Sequence, residues 1–279
     1  MIKSGATSKV RIAMTWAITM IACFFLETHG MAAVTGAAWS RLAEKRIYFG
    51  HQSVGYNLIE GMREVMRENP SIRLTIIEGS DAAALAAPAF AHGTIGENTD
   101  VDSKLTDFAK QLEKGIGEKA DFAFMKFCYV DITEKSDAKS IFIRYQETME
   151  SLKKKYPGVT FIHVTAPLTS KPRGLTTLAK NLVKRIIGRP VRTHRDNIPR
   201  TAFNEMMLQT YQGREPIFDL ARIESTDREG KRLELKEDGK SFYALVPEYT
   251  ADGGHLNEQG RRIAAAELLR LLAELSAER

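Results

Sequence analysis

Apolar runs and helical patterns alternate along this chain, and that order leaves few folds open. Strand candidates, rich in β-branched and aromatic residues, lie at 46–50, 72–79, 121–130, 159–167 and 216–221. Between them, helical patterns are expected near 55–68, 102–116, 137–155, 175–188 and 200–212, and a last helix follows Asn257, a residue suited to cap it. Runs that are apolar at nearly every position suit strands covered on both faces. The alternation therefore predicts an α/β fold: a three-layer α/β/α sandwich, flavodoxin-like, around a mostly parallel sheet of about five strands. Ligands of such folds bind at the carboxyl ends of the strands, so the turns after the runs are where chemistry is expected. The stretch 227–249 reads as a small hairpin, with Gly230 and Gly239 as turn residues.

The amino terminus follows a different pattern. Lys3, Lys9 and Arg11 precede an uncharged run from Ile12 to Leu26, and small residues follow it. A basic segment, an apolar segment and a small-residue zone describe a secretory signal peptide over residues 1–32, with a single domain over 33–279. The chain is then expected to be exported, periplasmic or secreted; an uncleaved amino-terminal membrane anchor is the alternative. Export usually brings disulfides, yet of the two cysteines Cys23 lies in the leader and Cys128 remains alone. Stability must come from the core.

Net charge is +5, and nine basic residues between Lys171 and Arg200 face Asp196 alone. An amphipathic basic helical insertion is expected at about 171–195. No aromatic residues interleave with these charges, as stacking on nucleic acid would require. An anionic glycan or lipid headgroup is the partner such a segment would take if it is more than a solvated face.

Two stretches carry candidate chemistry. In GHQSVG, Gly50 to Gly55, the chain leaves a strand through a turn bearing an imidazole, an amide and the Ser53 hydroxyl, then starts a helix. Turns made for geometry alone favour Gly, Asn, Asp or Pro. In DGGH, Asp252 to His255, a carboxylate stands three residues before an imidazole, just ahead of the last helix. That spacing lets Asp252 hold Nδ1 of His255 and leaves Nε2 to take a proton from a hydroxyl. A serine needs such a base to act as a nucleophile at neutral pH.

With these two stretches in place, the chain resembles the SGNH (GDSL-like) hydrolases from about residue 46 to 276. The resemblance implies Ser53 as nucleophile, His255 as general base and Asp252 as its orienting carboxylate. It also implies an oxyanion hole built from the Ser53 N–H, a glycine N–H and an asparagine amide. Gly96 is the glycine chosen here, and Asn98 the nearby amide, because KFCYVDI, Lys126 to Ile132, has no asparagine where the family carries Gly-x-Asn-Asp. GHQS itself departs from the usual Gly-Asp-Ser.

The remaining candidates have structural readings beside functional ones. His51 lines the pocket or makes a structural hydrogen bond, and Gln52 stands in the place of the family's aspartate and braces the turn. Lys126 is expected to pair with a buried carboxylate, and Asp131 is a candidate for that partner, for a helix cap or for the pocket. Cys128 reads as a small core residue and His163 as a satisfied core histidine. Glu97, Asp100 and Asp102 have neither zinc-ligand spacing nor an EF-hand pattern, and no metal or cofactor is expected. The function implied is hydrolysis of a small acyl ester, acetyl foremost, on a carbohydrate, through an acyl-serine intermediate. An O-acyltransferase with the same triad and an inactive carbohydrate- or lipid-binding protein of the same fold are the alternatives. The sequence leaves the oligomeric state open.

Overall fold

The computed structural model of the chain describes residues 34–172 and 193–278. The expected signal peptide and the expected helix at 175–188 lie outside the described residues. No helix among the described residues is long and apolar enough to cross a membrane.

Six strands form one sheet: β1 (Arg46–His51), β2 (Ile76–Glu78), β3 (Ala89–Thr94), β4 (Phe122–Met125), β5 (Thr160–Val164) and β6 (Ile217–Phe218). Their order is β2-β3-β1-β4-β5-β6, and every pairing is parallel. β7 (Glu234–Glu237) and β8 (Lys240–Tyr243) form the expected antiparallel hairpin, turning at Asp238 and Gly239. The helices are α1 (Gly36–Ala43), α2 (Val54–Glu68), α3 (Val101–Gln111), α4 (Ala138–Lys155), α5 (Asn197–Tyr211), α6 (Leu220–Ser225) and α7 (Glu258–Ala277). Asn257 caps α7 as expected, accepting the Gly260 N–H at 3.0 Å.

Residues along each strand alternate between two apolar cores. Ile47 and Phe49 of β1, Phe90 of β3 and Phe122 and Phe124 of β4 face one core, built with α1, α2 and α7. Tyr48, Ala91, Ala123 and Met125 face the other, built with α3, α4 and α5. Burial on both faces is what the near-continuous apolar runs require, and it yields the three-layer α/β/α sandwich.

The sheet has six strands rather than about five. β3 was not anticipated from the sequence, because AFAHGT mixes small residues with few β-branched ones and so sends a weak strand signal. Two runs also end early. β4 stops at Met125, and 126–131 continues as a buried loop; β6 is two residues long and gives way to α6. Burial alone does not distinguish a strand from a loop packed beneath other elements.

The chain runs from β1 out to β2, returns through β3, and then crosses to β4. β1 therefore lies between β3 and β4, and the turn after it is flanked by loops 95–100 and 126–131. This reversal is the crevice in which open α/β sheets hold ligands.

Candidate active site

Helix packing brings the two ends of the chain together. α2 follows the Ser53 turn, α7 follows the Asp252–His255 loop, and the two cross at Gly61, where an added Cβ would strike the Arg261 carbonyl and come within 2.9 Å of Ala265. So close a crossing needs glycine. Arg261 pairs with Glu64 of α2, its Nε lying 3.1 Å from Oε2. Asn57, in the first turn of α2, accepts the Leu256 N–H at 3.1 Å. The amino ends of both helices are thereby held side by side.

At that junction, Ser53 Oγ lies 2.6 Å from His255 Nε2. His255 Nδ1 lies 2.6 Å from Asp252 Oδ2. Asp252 Oδ1 also accepts the N–H groups of Gly254 (2.9 Å) and His255 (2.8 Å), which closes the loop around the carboxylate. Burial pushes the Asp252 carboxyl up, but the bonds from the His255 ring and the two N–H groups outweigh it and hold it below its ordinary range. The geometry gives a hydroxyl, an imidazole in a fixed tautomer and an ionised orienting carboxylate in line.

Ser53 adopts φ 51° and ψ −110°, one of three non-glycine residues with positive φ among those described. Such a conformation costs ~1–3 kcal/mol and persists only where its surroundings enforce it. Its hydroxyl caps no N–H of α2, which leaves it to His255. The neighbours supply the enforcement. Gln52 donates its amide to the carbonyls of Ile95 (2.9 Å) and Gly96, bracing the turn against the loop after β3. The His51 ring lies against Gly55, where any Cβ would overlap it.

His51 is fully buried, with Nε2 3.1 Å from His92 Nδ1. Burial, then Lys126 and His92, push its pKa down to about 2, so it stays neutral. That makes it a packing element of the turn rather than a working base.

Two expectations are corrected around the oxyanion region. The Gly96 N–H, expected as an oxyanion donor, is committed to Asp107 Oδ2 at 2.9 Å, because its φ of +49° turns the amide toward α3. Asp131 pairs with Lys104, not with Lys126: Nζ to Oδ2 is 2.6 Å and both side chains are fully buried. Asp131 also takes the N–H groups of Cys128 (2.6 Å) and Thr99 (2.8 Å), tying together the loops that flank Ser53. Lys126, buried and pushed below its ordinary range by that burial, reaches the Phe127 carbonyl (3.2 Å) and Cys128 Sγ (3.5 Å) instead. Asn98, exposed on the loop, accepts the Lys104 ammonium on Oδ1 at 3.1 Å. That contact assigns the amide's orientation and directs its NH₂ group away from the lysine.

The other expected roles fall as follows. His163 is a satisfied core histidine, bonded to Tyr145 (2.8 Å) and Glu215 (3.0 Å) and stacked on Tyr211. Asp100 caps α3 and Asp102 pairs with Arg144. Among the described residues no cluster of His, Cys, Asp or Glu is arranged to hold a metal. Of the basic stretch, residues 173–192 lie outside the described residues; Lys171 and Arg195 have acidic partners beyond Asp196, while Arg200 faces Asp196 itself at 3.8 Å. Arg195 meets Glu134 and Asp238, Lys171 meets Glu237, and Arg200 is a buried clamp on the Ile132 carbonyl and Asn197.

Tyr129 was missed by sequence reasoning. It is buried, edge-on to the His255 ring with its hydroxyl 3.4 Å from Nδ1, and so close to Gly254 that no side chain fits there. The one available signal is its place inside KFCYVDI, the block where the resemblance expected an oxyanion residue.

An open concavity of about 750 Å³ adjoins the turn, lined by Gln52, Thr94, Gly96, Glu97, Asp107 and Lys110 among others. It includes neither Ser53 nor His255, so hydrogen bonding rather than concavity locates the candidate chemistry.

No family model matches the chain, and no curated protein matches it. Among solved structures it is similar to the lipase/acylhydrolase from Enterococcus faecalis, with 16% identity over 84% of this chain and 96% of that one and a TM-score of 0.44. It is also similar to the periplasmic domain of a lipopolysaccharide acetyltransferase from Salmonella ser. Paratyphi A (13% identity, 80% and 81% covered, TM-score 0.44). A peptidoglycan O-acetylesterase is a third (14%, 70% and 49%, 0.43).

Proposed function

We propose that this chain is an acyl-ester hydrolase acting through a covalent acyl-serine. The observation that carries the reading is the pair of 2.6 Å contacts linking Ser53 Oγ, His255 and Asp252. As Ser53 Oγ attacks the ester carbonyl, its proton passes to His255 Nε2, and Asp252 stabilises the imidazolium so formed. The tetrahedral intermediate collapses, and the alcohol leaves with the proton from His255. Water, deprotonated by His255, then attacks the acyl-serine and releases the acid. The Ser53 N–H and the Asn98 NH₂ are the oxyanion donors of this proposal, with Asn98 held by Lys104.

Hydrolysis is favoured over O-acyl transfer by access to water: the side chains of His255 and Asp252 are 43% and 55% exposed. A small acyl group, acetyl foremost, is the reading taken from the family resemblance and the expected export. Export would place the reaction outside the cytoplasm, on an acylated carbohydrate.

The test is intact-mass spectrometry after exposure to an activated phosphonate, on the unmodified chain and on Ser53→Ala and His255→Ala. One adduct at Ser53, absent from both variants, is expected. An unmodified chain that takes no adduct would overturn serine catalysis and leave the binding-protein reading.

A further inference from the structure

Resting on the hydrolase reading, we propose that Tyr56 and Glu78 form a subsite for the sugar ring of an acylated carbohydrate. Three large apolar or aromatic side chains are exposed among the described residues, namely Tyr56, Ile77 and Ile143. Tyr56 stands beside the nucleophile: its N–H donates to the Ser53 carbonyl at 2.8 Å in the first turn of α2.

The ring is exposed but not loose. It meets the His51 ring at 4.7 Å and 83°, and the His92 ring at 6.2 Å and 88°. Its hydroxyl donates to Glu78 Oε1 at 3.3 Å. With 41% of its surface in water, it forgoes burial that aromatic side chains normally gain on folding. A ligand lying on it would recover that burial without having to order the ring first.

Its surroundings select the ligand. Glu78, exposed at the end of β2, offers carboxylate oxygens at the rim, and exposed Arg63 lies two turns further along α2. Ile77 does not extend the apolar surface, because alternation along β2 sends its side chain to the opposite face from Glu78. A flat apolar face of one ring's size with a carboxylate acceptor bonded at its edge fits a pyranose better than a hydrocarbon chain. The C–H face of the sugar covers Tyr56, and its hydroxyls donate to Glu78. Tyr56 stands one helical turn, about 5.4 Å along the axis, from Ser53, and the proposal has the ester substituent of the bound ring extend toward that residue.

The experiment compares methyl 6-O-acetyl-glucopyranoside with ethyl acetate, an ester with no ring, by following released acetate. Tyr56→Ala should lower the ratio of the two kcat/KM values about tenfold, chiefly through KM for the sugar ester. Tyr56→Phe, which keeps the ring, should retain most of the ratio, and Glu78→Gln should fall between. Ligand-observed NMR of the same sugar with Ser53→Ala reads the subsite without turnover, and the signal should vanish in Ser53→Ala/Tyr56→Ala. An unchanged ratio in Tyr56→Ala, or no sugar binding by Ser53→Ala, overturns the subsite even if ethyl acetate is cleaved. Tyr56-dependent binding without hydrolysis of either ester supports the subsite and refutes the hydrolase reading.

Discussion

Replacing Asp131 by alanine should strongly destabilise this protein, although Asp131 lies outside the proposed triad. Its carboxylate is 2.6 Å from the Lys104 ammonium, with both side chains fully buried, and it accepts the N–H groups of Cys128 and Thr99. Breaking a buried pair by removing one partner costs ~3–5 kcal/mol. The orphaned Cys128 N–H adds ~1–3 kcal/mol; the two overlap, so a loss of about 4–6 kcal/mol is expected. Against a total of roughly 5–15 kcal/mol for a domain, that is from about a quarter to the whole. Lys104→Met should cost less, because the carboxylate keeps its two backbone donors, whereas in Asp131→Ala the ammonium keeps only Asn98 Oδ1 at 3.1 Å. Equilibrium urea unfolding, followed by circular dichroism and intrinsic fluorescence, measures both. A loss below about 1 kcal/mol in Asp131→Ala, or a larger loss in Lys104→Met, would refute the account of the pair.

Two further outcomes follow from buried groups near the site. Burial pushes the Glu224 carboxyl up to about 8, although the Leu168 N–H, Lys126 and Arg200 pull it the other way. The folded chain therefore holds a proton that the unfolded chain releases above its ordinary 4.5, so this group's contribution to stability declines as pH rises from there to about 8. Glu224→Gln should flatten that slope in urea midpoints measured across the window, and an unchanged slope counts against it. Gly55→Ala should cost ~1–3 kcal/mol by driving a methyl into the His51 ring, and should slow phosphonate labelling of Ser53. Part of the stability should return in Gly55→Ala/His51→Ala; additive losses in the double variant would mean the two residues do not interlock.

The parts of this protein legible in its sequence are those set by local spacing. Period and length of the apolar runs predict a parallel sheet with two covered faces, and five of its six strands fall on the runs expected, β1 running one residue further. Asp252 and His255 are three residues apart, so one loop can join them, and Asn257 caps the helix that follows. Partner choice over long separations was not legible. Lys126 and Lys104 are both lysines in apolar surroundings, and only the packing of α3 against the loop after β4 gives Asp131 to Lys104. Gly96 looks like a donor until its positive φ turns the N–H toward Asp107. β3 escaped notice because a central strand of small residues draws its stability from neighbours on both sides rather than from its own side chains.

Ser53 and His255 are 202 residues apart, and no local rule joins them. What brings Oγ to Nε2 is the close crossing of α2 and α7 at Gly61, made possible by the absence of one side chain. The residue types and the local loops of the candidate site were determined by the sequence alone; their meeting was decided by how two helices pack on one face of the sheet.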